Sequence, residues 1–145
     1  MLKRKNNKKR IIANTKILLE NMAEHNEKIA FKYPEGKNQY KTVTYDEFLA
    51  LIKNEIAGLD AVGLKGERVA LIGDTSVQWL ATYIAVLASG GVAIPMDKEL
   101  DIEAIKGFLE VSEAKAIVYS KSFNEKLIPF RKVFVIVRVN KCHWH

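Results

Sequence analysis

The chain has 145 residues, 48% of them apolar and 28% charged, which is typical of one globular domain and excludes a fibrous or fully disordered chain. Its single cysteine, Cys142, excludes an intrachain disulfide framework and fits a reducing compartment. No apolar stretch reaches the roughly 20 residues that span a bilayer, and no signal-peptide pattern follows the basic start, so we expect a cytoplasmic protein.

The first ten residues account for the positive net charge. The formal net charge is +6, and residues 3–10 (KRKNNKKR) hold six lysines and arginines, which leaves 17 basic and 17 acidic groups elsewhere. Such a segment can contact the phosphates of nucleic acid or anionic lipid, but it has no aromatic residue to stack on bases. We expect a solvated, partly disordered leader over 1–10 that binds no specific nucleic acid and makes at most weak contact with anionic surfaces.

A helix and a β-hairpin are predicted next. Over Ile11–Glu24, apolar residues recur with helical spacing. Lys28–Tyr33 and Tyr40–Tyr45 are typical of strands, and the Pro34-Glu35-Gly36 turn between them favours a hairpin.

The second predicted helix has a clear start. Thr44 and Glu47 have the spacing of a capping box, in which an N-cap hydroxyl and an N3 carboxylate satisfy each other's exposed amides. Asp46 is also favourable in a first helical turn. An apolar stripe predicts the buried face, and Gly63 and Gly66 end the helix; the stripe comprises Phe48, Ile52, Ile56 and Leu59.

A strand and a third helix follow. RVALIG, from Arg68 to Gly73, is a short apolar run typical of a strand buried on both faces. Thr75 and Gln78 have the spacing of a second capping box, which predicts a helix that ends before Gly90. Its predicted apolar stripe consists of Leu80, Tyr83, Ile84 and Leu87.

The remaining pattern continues the alternation of strands and helices. A strand stopped by Pro95 precedes a helix capped by Asp101, with Ile102, Ile105, Phe108 and Leu109 as its apolar residues. We further predict a strand over Ala114–Ser120, a third capping box over Ser122–Glu125 and a final strand over Lys132–Val139. This alternation predicts an α/β fold, a doubly wound or flavodoxin-like mostly parallel sheet with flanking helices, preceded by a helix and a β-hairpin. It forms one domain over 11–139, with an irregular tail over 140–145.

The turn Gly73-Asp74-Thr75-Ser76 lies where many α/β proteins hold a nucleotide phosphate. A phosphate loop needs glycines that let backbone amides approach the ligand, and usually a cation. This turn has one glycine, no cation and a carboxylate, so we interpret its polar residues as helix caps. Because ligands of open α/β sheets lie beyond the carboxyl ends of the strands, a minor lining role for Asp74–Ser76 stays open.

No other group of residues predicts chemistry. Three potential metal ligands lie close together near the end of the chain but lack the second pair that fixes zinc; they are Cys142, His143 and His145. His25 is interpreted as a solvated helix-end residue, Glu47 as a cap and Tyr45, Trp79 and Tyr83 as packing aromatics. We predict no catalytic, cofactor-binding or metal-binding residue in this chain.

Four features in order resemble the beginning of the AMP-forming acyl-CoA synthetases, the adenylate-forming ligases that activate carboxylic acids with ATP. They are a Thr44-Tyr45 helix start, a GLKGERVA turn into a strand (Gly63–Ala70), Trp79 in a helix N-terminus, and ASGGVAIP (Ala88–Pro95). The upstream segment EKIAFKYPEGKNQYKTVTY (Glu27–Tyr45) is most similar to the long-chain fatty acid branch.

The resemblance implies a partial acyl-CoA synthetase fold and, for a full-length member, ATP, Mg²⁺, CoA and a fatty acid substrate. The chain departs from the pattern at Asp74-Thr75-Ser76, where Asn-Ser is common, and at Gln78, where an acidic residue is frequent. It stops before the Ser/Thr/Gly-rich loop whose lysine holds the ATP phosphates, before the ribose-binding acidic residue and before the small C-terminal domain with its lysine. No functional residue of the family maps onto this chain.

Two interpretations remain open from the sequence. The chain is either the N-terminal scaffold of a long-chain acyl-CoA ligase, inactive alone, or a stand-alone, non-catalytic α/β binding module. A downstream reading frame that encodes the ATP loop would support the first. That interpretation also predicts an exposed apolar surface, which either the remainder of the ligase or a second copy of the chain would cover.

Overall fold

A computed structural model describes residues 14–130 and the backbone of 135–139. The leader at 1–10, the tail at 140–145 and the residues weighed and rejected as metal ligands, Cys142, His143 and His145, lie outside the described residues. The elements in chain order are α1 (Thr15–Ala23), β1 (Ile29–Pro34), β2 (Tyr40–Thr44), α2 (Tyr45–Ala61), β3 (Arg68–Ile72), α3 (Val77–Ala88), β4 (Val92–Met96), α4 (Ile102–Ser112), β5 (Ala116–Ser120) and β6 (Val135–Val139), with 3₁₀ turns at Lys121–Phe123 and Ile128–Phe130.

β1 and β2 form the predicted antiparallel hairpin. Its turn places Gly36 at φ 94° and Asn38 at φ 59°, in the left-handed region that these two residue types tolerate best. Phe31 of β1 meets Phe48 of α2 edge-to-face, with ring centroids 4.7 Å apart. The hairpin therefore packs onto the start of α2 through this aromatic pair.

The other four strands form one parallel sheet in the order β4-β3-β5-β6. The chain leaves β3 through α3 to reach β4 at the edge, and then returns through α4 past β3 to β5. The connections from β3 and β5 therefore run in opposite directions. The gap between their carboxyl ends is the topological switch point, where open α/β sheets place their ligands.

Both faces of this sheet are covered, which confirms the doubly wound prediction. Val69 and Leu71 of β3 pack with α2 and α3 in one buried cluster. Ala70 and Ile72 pack on the opposite face with buried residues of α4 and of the chain that follows β5. Because successive strand residues point to opposite faces, β3 contributes to both cores.

Two predicted helix caps are confirmed. The Glu47 amide donates to Thr44 Oγ1 at 3.2 Å, and the Thr44 amide donates to Glu47 Oε2 at 2.8 Å, so the capping box is complete. In α4, Asp101 Oδ1 accepts from the Ala104 amide at 2.8 Å. α1 begins at Thr15 with Asn14 as its N-cap, and the earlier part of that predicted helix lies outside the described residues.

The other two predicted capping boxes are wrong. α3 is capped by Ser76 rather than Thr75, since Ser76 Oγ accepts from the Trp79 amide at 3.1 Å and Gln78 hydrogen-bonds to Glu55 of α2 instead. Ser122 lies inside a 3₁₀ turn, and its hydroxyl bonds to other side chains rather than capping a helix.

Three details of the apolar pattern also differ from the predictions. β4 continues through Pro95 to Met96, because an edge strand tolerates a missing amide. Of the predicted α3 stripe, Ile84 is buried, Leu80 and Tyr83 are half-buried and Leu87 is exposed; the other buried residues of the helix are Gln78, Ala81, Thr82, Ala85 and Val86. In α4 only Ile105 and Leu109 are buried, whereas Ile102 and Phe108 are exposed.

Candidate functional site at the carboxyl edge of the sheet

The loops that follow β3, β4 and β5 are joined at the switch point by Asp74. Lys98 Nζ, after β4, donates to Asp74 Oδ1 at 3.2 Å, and Ser122 Oγ, after β5, donates to Asp74 Oδ2 at 3.4 Å. The side chains of Asp74 and Lys98 are both about half exposed, so this ion pair contributes little to stability, about 0–1 kcal/mol. Together, the ion pair and the hydrogen bond from Ser122 connect the three loops through Asp74.

Further hydrogen bonds fix the same loops. The hydroxyls of Ser120 and Ser122 lie 2.9 Å apart, and Lys126 Nζ donates to the Lys98 carbonyl at 3.3 Å. Asp97 Oδ1 accepts from the Glu99 amide at 2.9 Å, which closes the loop after β4. The candidate site is therefore a polar network in which each loop has a partner from another loop or from its own backbone.

Gly73 allows the ends of β3 and β5 to approach each other. A Cβ at Gly73 would lie 2.8 Å from Ser120 Oγ, closer than real Cβ atoms come to any neighbour. The glycine is thus required by contact between two strands, which supports the interpretation of this turn as structural. Sequence reasoning missed the cation, because Lys98 is 24 positions beyond Asp74 and reaches it only through the strand order β4-β3-β5.

The described residues of this edge do not fit the phosphates of ATP or a Mg²⁺ ion. A triphosphate needs unpaired cations and free amide donors, but Lys98 is paired with Asp74 and the Ser76 side chain already caps α3. Within residues 14–130, no group of three or more His, Cys, Asp and Glu side chains is arranged to hold a metal ion.

A second polar cluster lies between α2 and α3. Gln78 Nε2 donates to Glu55 Oε1, while Thr82 Oγ1 lies 3.1 Å from Glu55 Oε2 and 3.0 Å from the Gln78 carbonyl oxygen, to one of which its hydroxyl donates. Gln78 and Thr82 are buried. Burial raises the pKa of the Glu55 carboxyl above its ordinary value, and the hydrogen bonds from Thr82 and Gln78 oppose this rise.

The aromatic residues and His25 do not converge on one site. Trp79 and Tyr83 stack with ring centroids 5.6 Å apart, and the Trp79 indole N–H is buried with no acceptor among the described residues. Tyr45 lies instead beside His25, at 6.1 Å between ring centroids. His25 Nδ1 is 2.8 Å from the Asn21 carbonyl oxygen, a contact typical of a residue that ends a helix.

Comparison with known proteins decides the family. Residues 18–141 match the family described as AMP-binding enzyme. The chain belongs to the AMP-binding enzyme family. This membership agrees with the doubly wound sheet.

The relatives of this AMP-binding enzyme chain are several times longer. It is 27% identical over 114 residues to the putative acyl-CoA synthetase YngI of Bacillus subtilis. This alignment covers 77% of this chain and 20% of that protein. It is 31% identical over 81 residues to a D-alanine--D-alanyl carrier protein ligase of Streptococcus pneumoniae, covering 55% of this chain and 16% of that protein. The chain spans a fifth or less of the curated relatives it matches.

A solved structure confirms the fold of the AMP-binding enzyme chain. The N-terminal domain of FACL13 from Mycobacterium tuberculosis superposes with a TM-score of 0.73 at 22% identity, over 87% of this chain and 33% of that one. The α/β architecture is therefore that of the N-terminal domain of acyl-CoA synthetases. None of the helices in the described residues has the length and apolarity that crossing a bilayer requires.

Proposed function

We propose that this chain is the N-terminal scaffold of an ATP-dependent ligase that converts a carboxylic acid to an acyl adenylate and then to an acyl-CoA. The family match over residues 18–141 carries this proposal. In the proposed role, the chain builds one part of the sheet and orients the loops at its carboxyl edge, where substrates of open α/β proteins bind.

The scaffold role rests on how the polar groups at this edge are used. Lys98 and Ser122 both donate to Asp74, and Ser76 caps α3. Adenylation needs groups that stabilise charge on the transferring phosphoryl group, along with a metal ion. In our proposal those groups, and the sites for ATP, Mg²⁺ and CoA, belong to parts of the ligase other than this chain, which is inactive alone.

We further propose a long-chain fatty acid as the substrate and the cytoplasm as the compartment. The substrate rests on the similarity of Glu27–Tyr45 to the long-chain branch of the acyl-CoA synthetases, and the compartment on the single cysteine. The D-alanine ligase among the relatives makes a small amino acid the substrate to test against it.

Exchange of labelled pyrophosphate into ATP tests these proposals, with palmitate, octanoate and D-alanine as acids. The 145-residue chain is expected to show no exchange above a mock purification from the same host. A protein in which this sequence continues into a complete AMP-binding domain is expected to exchange with palmitate. Acid-dependent exchange by the 145-residue chain would refute the scaffold role, and exchange of the longer protein with D-alanine alone would refute the fatty acid substrate.

A further inference from the structure

α1 differs from the other described helices in that none of its residues is buried. α2, α3 and α4 each bury at least two residues. α1 packs against the core through side chains that are only half-buried, namely Leu18, Leu19 and Met22. Within the described part of the chain, no hydrogen bond or ion pair joins residues 15–23 to α2 or α3. Apolar contact therefore holds α1 against these two helices.

Grooves flank α1 on two sides. One, of about 270 Å³, lies between α1 and α2 and is lined on the α2 side by Leu49, Ile52 and Ile56. The other, of about 590 Å³, lies between the start of α1 and the end of α3, near Leu87. Leu19 lines both grooves. Because close-packed interfaces leave few voids larger than a water molecule, space of this size shows that α1 is loosely packed against both neighbours.

α1 is also too short to persist as a helix without these contacts. It has nine residues, and isolated helices of fewer than about 12–15 residues are marginal in water. Its first turn has no acidic residue and its last turn has no basic residue, so no side chain offsets the helix dipole. A separated α1 is therefore expected to lose its helical structure.

The chain that follows α1 is fixed to α2 by its backbone. The Asp46 amide donates to the Asn26 carbonyl oxygen and the Tyr45 amide to the Lys28 carbonyl oxygen, both at 3.0 Å. These bonds hold the chain from residue 26 onward against the first turn of α2, whereas α1 itself has only apolar contacts with that helix. The boundary between the fixed and the loosely held part lies at residues 24–25.

We propose that α1 is a hinged strap, which separates from α2 and α3 as one unit while the rest of the described fold stays intact. The strap pivots about residues 24–25, unfolds, and exposes the apolar row Leu49, Ile52 and Ile56 of α2. Local opening of this kind occurs where buried apolar contacts are few. An apolar ligand that binds this row holds the strap open, because it binds only the open state. This inference does not depend on the proposed ligase function.

Amide hydrogen exchange of the 145-residue chain, followed by NMR, tests the opening. The amides of residues 18–23 should share one level of protection, at least about tenfold below that of the most protected amides of α2. Their exchange should hardly change in low concentrations of urea, since the opening exposes little surface, whereas exchange of the α2 core amides should accelerate. The amides of Tyr45 and Asp46 should stay protected when α1 opens.

Three outcomes of the exchange experiment would overturn the proposal. Protection that rises steadily along α1 would indicate fraying from its start rather than separation as one unit. Protection equal to that of α2 would show that α1 opens only when the whole chain unfolds. Exchange of the Tyr45 and Asp46 amides together with α1 would show that the connection after α1 is not a fixed hinge.

Two variants test whether apolar docking controls the strap. Leu19 and Ile17 are both half-buried apolar residues of α1, but Leu19 packs against the core and lines both grooves, and Ile17 does neither. Leu19→Ala should lower the protection of residues 18–23 about tenfold, because apolar burial is lost. Ile17→Ala should change it much less. The dye bis-ANS should bind more to Leu19→Ala than to Ile17→Ala, since the α2 row is exposed more often. Equal protection or equal dye binding in the two variants would refute the strap.

Discussion

Gly73 at the end of β3 is in direct contact with Ser120 at the end of β5: a Cβ on Gly73 would lie 2.8 Å from Ser120 Oγ and 3.0 Å from Ser120 Cβ. Gly73→Ala should therefore push these strand ends apart and lower the free energy of unfolding by about 1–3 kcal/mol. Urea unfolding followed by circular dichroism measures this. Gly58→Ala is the control, since its Cβ would meet nothing within 4 Å in α2, and it should stabilise by about 0.5–1 kcal/mol. Equal stability of Gly73→Ala and the wild type would contradict the contact.

Gly91 should tolerate replacement by alanine less well than Gly73. A Cβ there would lie 2.5 Å from the Glu67 carbonyl oxygen, which is itself held by the Val92 amide at 3.0 Å. A backbone atom cannot rotate away as the Ser120 hydroxyl can, so Gly91→Ala should destabilise more than Gly73→Ala in the same unfolding experiment. The reverse order would show that the turn between α3 and β4 relaxes more easily than the contact between β3 and β5.

Two neighbouring residues at the start of α3, Thr75 and Ser76, carry a hydroxyl, and Ser76 is the one that caps the helix. Ser76→Ala removes the acceptor of the Trp79 amide and should lower the free energy of unfolding by about 1 kcal/mol. Thr75→Ala, one position earlier, should change it by less than about 0.5 kcal/mol, because surface substitutions away from caps are usually small. If Thr75→Ala proves the more destabilising of the two, the helix begins where the sequence pattern predicts.

Glu55 should make stability depend on pH. Its pKa in the folded state is raised above the ordinary value of 4.5, chiefly by burial. Its contribution to the free energy of unfolding is therefore complete below that value and is lost as the pH rises through the folded-state pKa. Glu55→Gln removes this loss, so the variant should gain stability relative to the wild type as the pH is raised from acid to neutral. Urea unfolding across this pH range measures the difference.

Thr82→Val tests the same pH dependence without changing Glu55 itself. It keeps the volume of the side chain but removes a donor whose hydrogen bond lowers the pKa of Glu55. The pH range over which stability is lost should therefore move upward. A pH dependence that is identical in wild type, Glu55→Gln and Thr82→Val would assign the effect to another group.

The basic leader should account for salt-sensitive binding to polyanions. Outside residues 3–10, 17 basic groups balance 17 acidic groups. A chain that lacks residues 1–10 should lose most of its retention on heparin, with unchanged helix and strand content by circular dichroism. Retention that survives the deletion would reveal a basic surface elsewhere in the chain.

Local features were predictable from the sequence, and contacts across the sheet were not. The Thr44–Glu47 box is correct because both partners lie in one helical turn. At α3 the capping-box spacing predicts Thr75 as the cap, but the Gln78 side chain bonds to Glu55 on another helix and Ser76 caps α3 instead.

The candidate site shows the same limit. Asp74 was recognised as a carboxylate at the end of a strand, but its partner Lys98 follows a different strand. The sequence predicts that β3 and β4 belong to one parallel sheet, yet the pairing of their carboxyl-end loops depends on strand order. No local spacing encodes that order, so the network joining the three loops emerged only from the structure.

The alternation of side chains along β3 separates two groups of residues whose substitutions should affect different cores. Val69 and Leu71 belong to the core on one face, while Ala70 and Ile72 belong to the core on the other. Adjacent codons therefore evolve under separate constraints, whereas codons two apart evolve together. Epistasis should be stronger between residues of the same face than between residues of opposite faces, because only the former share packing partners.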